Sequence, residues 1–459
     1  MSHQIDEAIG YARNERNRFV TELQEFLRIP SISSNVTHDP DVKLAADWVA
    51  NRLSSMGATG VRIFKTGKHP IVYGEVNALE TSGSQTHVPT ILIYGHYDVQ
   101  RPDPLDKWES GPFDPVIRGE ELFARGAVDN KGPIVAAIAA IESLLQAGYL
   151  PVNIKFMIEG EEEVGSPSLP SFLESNKDTL KSDISLNGDS GLAAVDMPTI
   201  TYGLRGSIKS ILKISGPSID LHSGLFGGAV HNPIHVLAEL ISGLHNEQGL
   251  VTLPGFYDDV EPLDDEERAI LAEIPRDETM TLSLSGAPAL WGDDAYTPVE
   301  RTGARPALDV LMIQGGARKS AIPATAQASI SMRLVPNQSP QKAIDQLLTY
   351  IEANAPSTVT WELSQHGGAE PSLVDRYSPW NEAMSRALES AWGKRPLYDR
   401  IGGSIPAVSM LKDDLGIDSV LIGVYRPGDN LHAPNEKLHL PTWEKMIETI
   451  IYFLNNVRN

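Results

Sequence analysis

Five short stretches of this chain gather the residue types that bind metal ions or move protons. In YGHYDVQ, His96 and Asp98 stand two apart, directly after the apolar run ILIY. On a strand that spacing puts both side chains on one face, so His96 can ligate a cation while Asp98 supports it from behind. ARGAVDNKGP carries Asp129 in a glycine-bounded loop just before a predicted helix, where Asp or Asn is ordinarily a cap. EGEEEVGS sets three glutamates between Gly160 and Gly165, after the apolar run IKFMI. A charge run is ordinarily just solvated, but neighbouring carboxylates at the end of a buried strand can divide labour, one holding a cation and another carrying protons. LNGDSG adds Asp189 after ISL, and DNLHAPNEK offers His432 after SVLIGVY.

Each stretch alone has a bland structural explanation. Together they converge, because all five candidate ligands fall at strand ends or strand-to-helix loops, the edge at which open α/β sheets bind ligands. Imidazole and carboxylate donors without sulfur suit zinc, manganese or cobalt. Two ions would need at least one bridging carboxylate, with the ions about 3.5–4 Å apart. Residue type and placement do not say which carboxylate bridges.

The elements that must position these residues follow from hydrophobic periodicity. A helical pattern formed by Phe19, Val20, Leu23, Phe26 and Leu27 stops at Pro30. Strand-like runs follow at 71–76, 91–94, 154–158 and 184–186, with a helix predicted over about 133–147. This alternation predicts an open α/β sheet with helices on its faces. From about Gly206 the order becomes βαββαβ, a ferredoxin-like split unit, with strands at 208–214, 308–313, 324–334 and 359–363 and helices at 233–245 and 340–353. Residues 247–306 form a long excursion within it, with a helical piece at 264–273. After Leu373 the α/β pattern resumes with a helix at 380–391, a strand at 419–425 and a closing helix at 443–454. The expected division is a first domain over 1–204 and 372–459, interrupted by an insert over 205–371.

Composition excludes several classes of function. A chain of 459 residues, 41% hydrophobic, has material for more than one core. With 60 acidic and 38 basic residues the formal charge is −22, which repels phosphate backbones and anionic membranes, so neither nucleic acid nor membrane is an expected partner. Cysteine is absent, which removes disulfides, thiolate metal sites and a cysteine nucleophile. The amino terminus lacks an apolar signal core and no window approaches the ~18 apolar residues of a spanning helix, so the expected location is the cytoplasm.

In one order along the chain, GHYDVQ, RGAVDNKGP, EGEEEVGS, ITYGLRG, DLHSGLFGG, SMRLVPN, GGSIP and LHAPNEK resemble the carnosinase-type dipeptidases. These belong to the metallopeptidase family that includes aminoacylase, acetylornithine deacetylase and glutamate carboxypeptidase. The likeness runs from about Ile29 to the carboxyl terminus. It implies a zinc-peptidase-like open mixed sheet with an inserted lid and dimerisation domain, and two divalent ions per subunit, zinc foremost with manganese or cobalt as alternatives. It also implies that Asp129 bridges the ions, that His96 and Asp189 complete one site, and that Glu163 and His432 complete the other. Glu162 becomes the general base for a metal-bridged water, Asp98 its catalytic support, and Glu161 a bystander. The Asp129–Asn130 peptide would be cis.

By the same resemblance His222 reaches across a homodimer to stabilise the oxyanion, while Arg333, Ser320, Gly403 and Ser404 hold the substrate carboxylate. There are two departures. Ser320 stands where relatives often have Thr, and Ile401 precedes GGS where an acid is frequent, which leaves the substrate side less defined than the metal set. The implied function is hydrolysis of dipeptides or short peptides. The same site acting on acyl amides would make an N-acyl amino acid amidohydrolase, and a non-catalytic metal-binding scaffold is the third reading. The complete ligand set with Glu162 argues against the scaffold.

Overall fold

The apolar runs pair into one mixed sheet of nine strands. Its order is Thr59–Phe64, Ile71–Val76, Asn153–Glu159, Thr90–His96, Ile184–Gly191, Ser419–Tyr425, Thr199–Leu204 and Ser372–Leu373, with Leu397–Ile401 also paired to Thr199–Leu204. The computed structural model describes residues 2–79, 87–317 and 320–458. The four central strands, 153–159, 90–96, 184–191 and 419–425, run parallel. Parallel strands are covered on both faces, which is why they read as unbroken apolar runs rather than alternating ones. Along Thr90–His96, Ile91 and Ile93 face one helical layer while Leu92 and Tyr94 face the other.

The first layer holds Lys131–Gln146 and Leu440–Asn456 with the amino-terminal helices Ser2–Asn14, Arg16–Leu27 and Asp39–Met56. The second holds Leu169–Ser175 and Pro406–Leu415. Lys131–Gln146 is buried from Lys131 to Leu144, so this helix, apolar all round, sits at the centre of the layer. Each fully buried Leu, Ile or Val there contributes about 1.5–3 kcal/mol. The helix begins two residues before the predicted start, because proline is tolerated anywhere in a first turn that needs no N–H donor. Trp443 locks its start from the closing helix, with Nε1 donating to the Gly132 carbonyl at 2.8 Å.

A second, four-stranded antiparallel sheet has the order Ala307–Gly315, Thr325–Leu334, Gly206–Ser215, Thr360–Ala369. Helices Pro233–Ser242 and Pro340–Asn354 pack on the face that presents Ile208, Leu212, Ile214 and Ile330. The excursion contains the expected helix as Asp265–Ala272, and also Glu278–Ser285 and Pro298–Gly303, which periodicity did not reveal. The last carried a readable signal, since Thr297 and Glu300 form a reciprocal capping box around Pro298. In the main sheet, Ile184–Gly191 runs well beyond the predicted 184–186, because its pairing with Ser419–Tyr425 continues to Gly191. Asp189 therefore lies within a strand rather than after one.

Candidate metal centre

His96 ends its strand with its imidazole fully buried. Its Nδ1 lies 3.1 Å from the backbone carbonyl of Asp98, which orients the ring; the Asp98 carboxylate lies behind at 3.4 Å. That leaves Nε2 facing the acids, 3.0 Å from Asp129 Oδ1 and 3.5 Å from Asp189 Oδ2, buried and without a hydrogen bond. Gly95, just before it, makes the close approach possible. A Cβ there would lie 2.9 Å from both Asn130 Oδ1 and Ile134 Cγ1, so any side chain would push the Asp129 loop away from the strand.

Asp129 and Asn130 are joined by a cis peptide bond, and Asn130 Nδ2 donates to Asp189 Oδ1 at 3.1 Å. The second Asp129 oxygen lies 2.7 Å from His432 Nε2, which is itself 3.4 Å from Glu163 Oε2. Two groups of converging donors result, His96, Asp129 and Asp189 in one and Asp129, Glu163 and His432 in the other, and Asp129 belongs to both. All five predicted ligands thus come together.

Glu162 and Glu163 sit in a short turn, Glu162–Val164, whose backbone is anchored by Asp98. The Glu162 and Glu163 N–H groups donate to the two Asp98 carboxylate oxygens at 3.3 and 3.1 Å. Asp98 thereby supports the imidazole through its carbonyl and the glutamates through its carboxylate. Glu161, outside both donor groups, has a structural part. Buried beneath the turn, it accepts the N–H groups of His69 (2.7 Å) and Ser168 (2.9 Å) and the Ser168 hydroxyl (3.1 Å).

So many acids in one buried place perturb one another. Burial, and then the charges of Asp189, Asp129 and Asp98 against the opposing His96, hold the Glu162 carboxyl well above its ordinary range. Burial and the neighbouring Asp129 do the same to Glu163. Asp129 is held below the usual carboxylate range, since its contacts with His432 and His96 outweigh the effect of burial. Burial, with Asp98 nearby, pushes Glu159 up to about 7, its Oε1 accepting from Tyr94 at 2.8 Å and Ser166 at 3.0 Å.

This donor set fits divalent cations. His96 Nε2 and Glu163 Oε1 are buried polar atoms with no hydrogen-bond partner, and an uncompensated pair of that kind is costly unless something binds it. The absence of sulfur selects borderline and hard ions.

The remaining predicted residues form two further groups. Arg333 Nη1 donates to Ser404 Oγ at 3.1 Å, and Ser404 Oγ donates to the Arg205 carbonyl at 2.6 Å. Arg205 is a residue the sequence reading passed over, although it stands in the quoted ITYGLRG. Its guanidinium packs on Gly402, where a Cβ would lie 2.6 Å from Nη2, so Gly402 rather than Gly403 is the glycine this packing requires. Burial, with Arg333 nearby, lowers Arg205 to about 10. Ser320 accepts from the Ser223 backbone at 3.3 Å, which places it beside His222, whose strand Leu221–His222 pairs with Ala321–Ile322. His222 is exposed, and its Nδ1 accepts the Gly224 N–H at 3.0 Å. Among the described residues, no hydrogen bond or ion pair joins it to the metal cluster.

A mixed α/β sheet with a two-group His and carboxylate cluster at its strand ends defines a metallohydrolase type of site. The peptidase family M20/M25/M40 matches residues 92–456, and the chain belongs to that family. It is 31% identical to the Cys-Gly metallodipeptidase of Candida albicans over 95% of this chain and 94% of that protein. Human carnosine dipeptidase 1 superposes with a TM-score of 0.86 and 28% identity, covering 99% of this chain and 98% of that one. The metallo-carboxypeptidase Sso-CP2 of Sulfolobus solfataricus gives the same TM-score at 32% identity, covering 96% and 99%. Among the described residues, no helix is long and apolar enough to cross a membrane.

Proposed function

We propose that this protein is a cytoplasmic two-cation metallodipeptidase. The observation that carries the reading is Asp129, shared by two converging donor groups with Glu162 beside them, in a chain of this peptidase family. His96, Asp129 and Asp189 would hold one cation and Asp129, Glu163 and His432 the other, with zinc the first candidate and manganese or cobalt the alternatives. Bound there, the cations supply Lewis acidity toward a carbonyl and bring water toward ionisation near neutral pH.

The side chains do the rest. Glu162 takes the proton of the attacking water and delivers it to the leaving amine, a task suited to a carboxyl raised by burial. Asp98 keeps Glu162 and Glu163 in place through their N–H groups. Arg333 and Ser404, with Gly403 and Ser320, hold the substrate carboxylate, Arg333 by a charge-assisted hydrogen bond. The unit built on the second sheet serves as lid and dimerisation unit, and His222, exposed on the separate short pair of Leu221–His222 with Ala321–Ile322, meets the partner subunit's site in a homodimer and stabilises the oxyanion. Names of relatives point to small dipeptides with a free amino group, of the Cys-Gly or β-Ala-His kind.

The test is a panel of Ala-Gly, Gly-Leu, Cys-Gly and β-Ala-His against N-acetyl amino acids, on protein stripped by chelator and reloaded with zinc or manganese. Dipeptide cleavage restored by metal and dependent on a free α- or β-amino group is expected. Equal or faster cleavage of N-acetyl amino acids would move the protein to the amidohydrolase reading. Metal binding without hydrolysis of any substrate would leave the non-catalytic scaffold.

A further inference from the structure

The loop bearing His432 and the loop bearing Asp129 are far apart in sequence and are brought alongside by a short antiparallel pair, Glu121–Phe123 with Lys437–His439. Beyond it one more backbone bond forms, from Ala124 N–H to the Glu436 carbonyl at 3.1 Å, and the ladder ends. The Glu436 side chain continues where the ladder stops. Its Oε2 accepts Arg125 Nη1 at 2.6 Å and the Gly126 N–H at 3.1 Å, and its Oε1 accepts the Val128 N–H at 3.0 Å. Arg125 Nη2 returns to the Ala433 carbonyl at 3.3 Å. Glu436 and Arg125 are both buried, so each depends on the other.

The His432 loop needs such an anchor. Asn430, His432 and Asn435 all have left-handed φ, of +59°, +58° and +62°, without being glycine. Backbone of that kind persists where its surroundings over-determine it. His432 is half-exposed, its side chain 49% accessible, so packing alone does not hold the ring against Asp129. By contrast, His96 and Asp189 stand on strands hydrogen-bonded within the main sheet.

We propose that Glu436 is the positioning residue that sets the separation of Asp129 from His432 and thereby creates the second cation site, while the first site, of His96, Asp189 and the same Asp129, is held without it by the main sheet and by Asn130 Nδ2 on Asp189 Oδ1. This rests on the two-cation reading. Glu436 touches neither cation nor substrate. It acts through the backbone of residues 126–128 and through Arg125. A glutamine there must turn its NH2 toward donors, either Gly126 N–H and Arg125 Nη1 or Val128 N–H, so part of the anchor is lost whichever way it flips.

The test is calorimetric titration of chelator-stripped protein with zinc, and separately manganese, on wild type, Glu436→Gln, Glu436→Asp and Glu142→Gln. Glu142 is a control, since it too is mostly buried and receives two arginines, Arg18 and Arg52, but lies far along the 131–146 helix from the site. Wild type and E142Q should bind two cations. E436Q should bind the first with affinity within about 3-fold of wild type and the second at least about 10-fold more weakly, in line with the effect of outer-shell changes on metal affinity. E436D, which keeps the charge with a shorter reach, should show the same selective loss to a smaller extent, and serves alone if E436Q does not fold. Thermal unfolding of the stripped proteins gives the structural effect separately. Two wild-type binding events in E436Q and E436D, equal loss of both, or loss of the second in E142Q would overturn the proposal. Fewer than two events in wild type would instead overturn the two-cation reading on which it depends.

Discussion

The Asp98 carboxylate accepts the backbone N–H of Glu163 at 3.1 Å, so the residue two past the strand histidine also holds the acidic turn in place. Its other oxygen accepts the Glu162 N–H, and its carbonyl lies against His96 Nδ1. An asparagine would offer one acceptor to two N–H donors and oppose the other with its own NH2. Asp98→Asn is therefore expected to lower kcat about 10- to 100-fold and to weaken cation binding comparably. Steady-state kinetics and cation titration measure both, and a variant unchanged in each would show that the contact is incidental.

Glu162 is expected to separate chemistry from binding. Glu162→Gln keeps the shape and removes the carboxylate proposed as the base, so turnover should fall about 10²- to 10⁴-fold while elemental analysis still finds two cations per chain. Near-normal turnover would assign the proton to another group.

Arg333 meets Ser404 across the junction of the two sheets, beside Arg205. Arg333→Met should raise KM for dipeptides with a free carboxylate roughly 10- to 100-fold, the range of a hydrogen bond to a charged group at about 1.5–3 kcal/mol. Dipeptide amides, which lack that charge, should change much less. A parallel loss on both substrates would mean that Arg333 serves the fold rather than the carboxylate.

Glu159 gives a pH dependence with a definite sign. Its folded pKa of about 7 lies above the ordinary 4.5, so between those values the folded chain keeps a proton that the unfolded chain has released. Stability from this group is present below pH 4.5 and is lost as pH rises through 7. Glu159→Gln removes the effect. In urea unfolding of chelator-stripped protein, the variant should gain on wild type between pH 5 and pH 8, by at most about 3 kcal/mol. A difference that does not change with pH would contradict the assignment.

Elements with a large buried face were legible in the chain. The central strands around Ile91–Ile93 and Ile154–Ile158 are covered on both sides, and their apolar runs declare it. Glu278–Ser285 buries none of its residues, so no periodicity could announce it. Glu161 and Glu436 were invisible for a different reason. A buried glutamate looks like an exposed one in sequence, and its partners are remote: Glu436 lies 310 residues from Gly126.

The amino-acid sequence by itself determined the chemistry available: imidazole and carboxylate donors without cysteine, carried to the ends of strands, in motifs that resemble one peptidase family. It could not decide which oxygens meet. Asp129 and His432 are 303 residues apart, and their 2.7 Å contact forms where sheet pairing brings their loops alongside, with Glu436 bonded to the Gly126 and Val128 N–H groups at the end of that pairing. Likewise Asp98 was legible as a partner of His96, but its carboxylate is turned to the glutamate backbone, a direction set by where the 153–159 strand delivers its turn. Local pattern specifies which groups can act, whereas strand register and loop anchoring over hundreds of residues specify where their atoms converge.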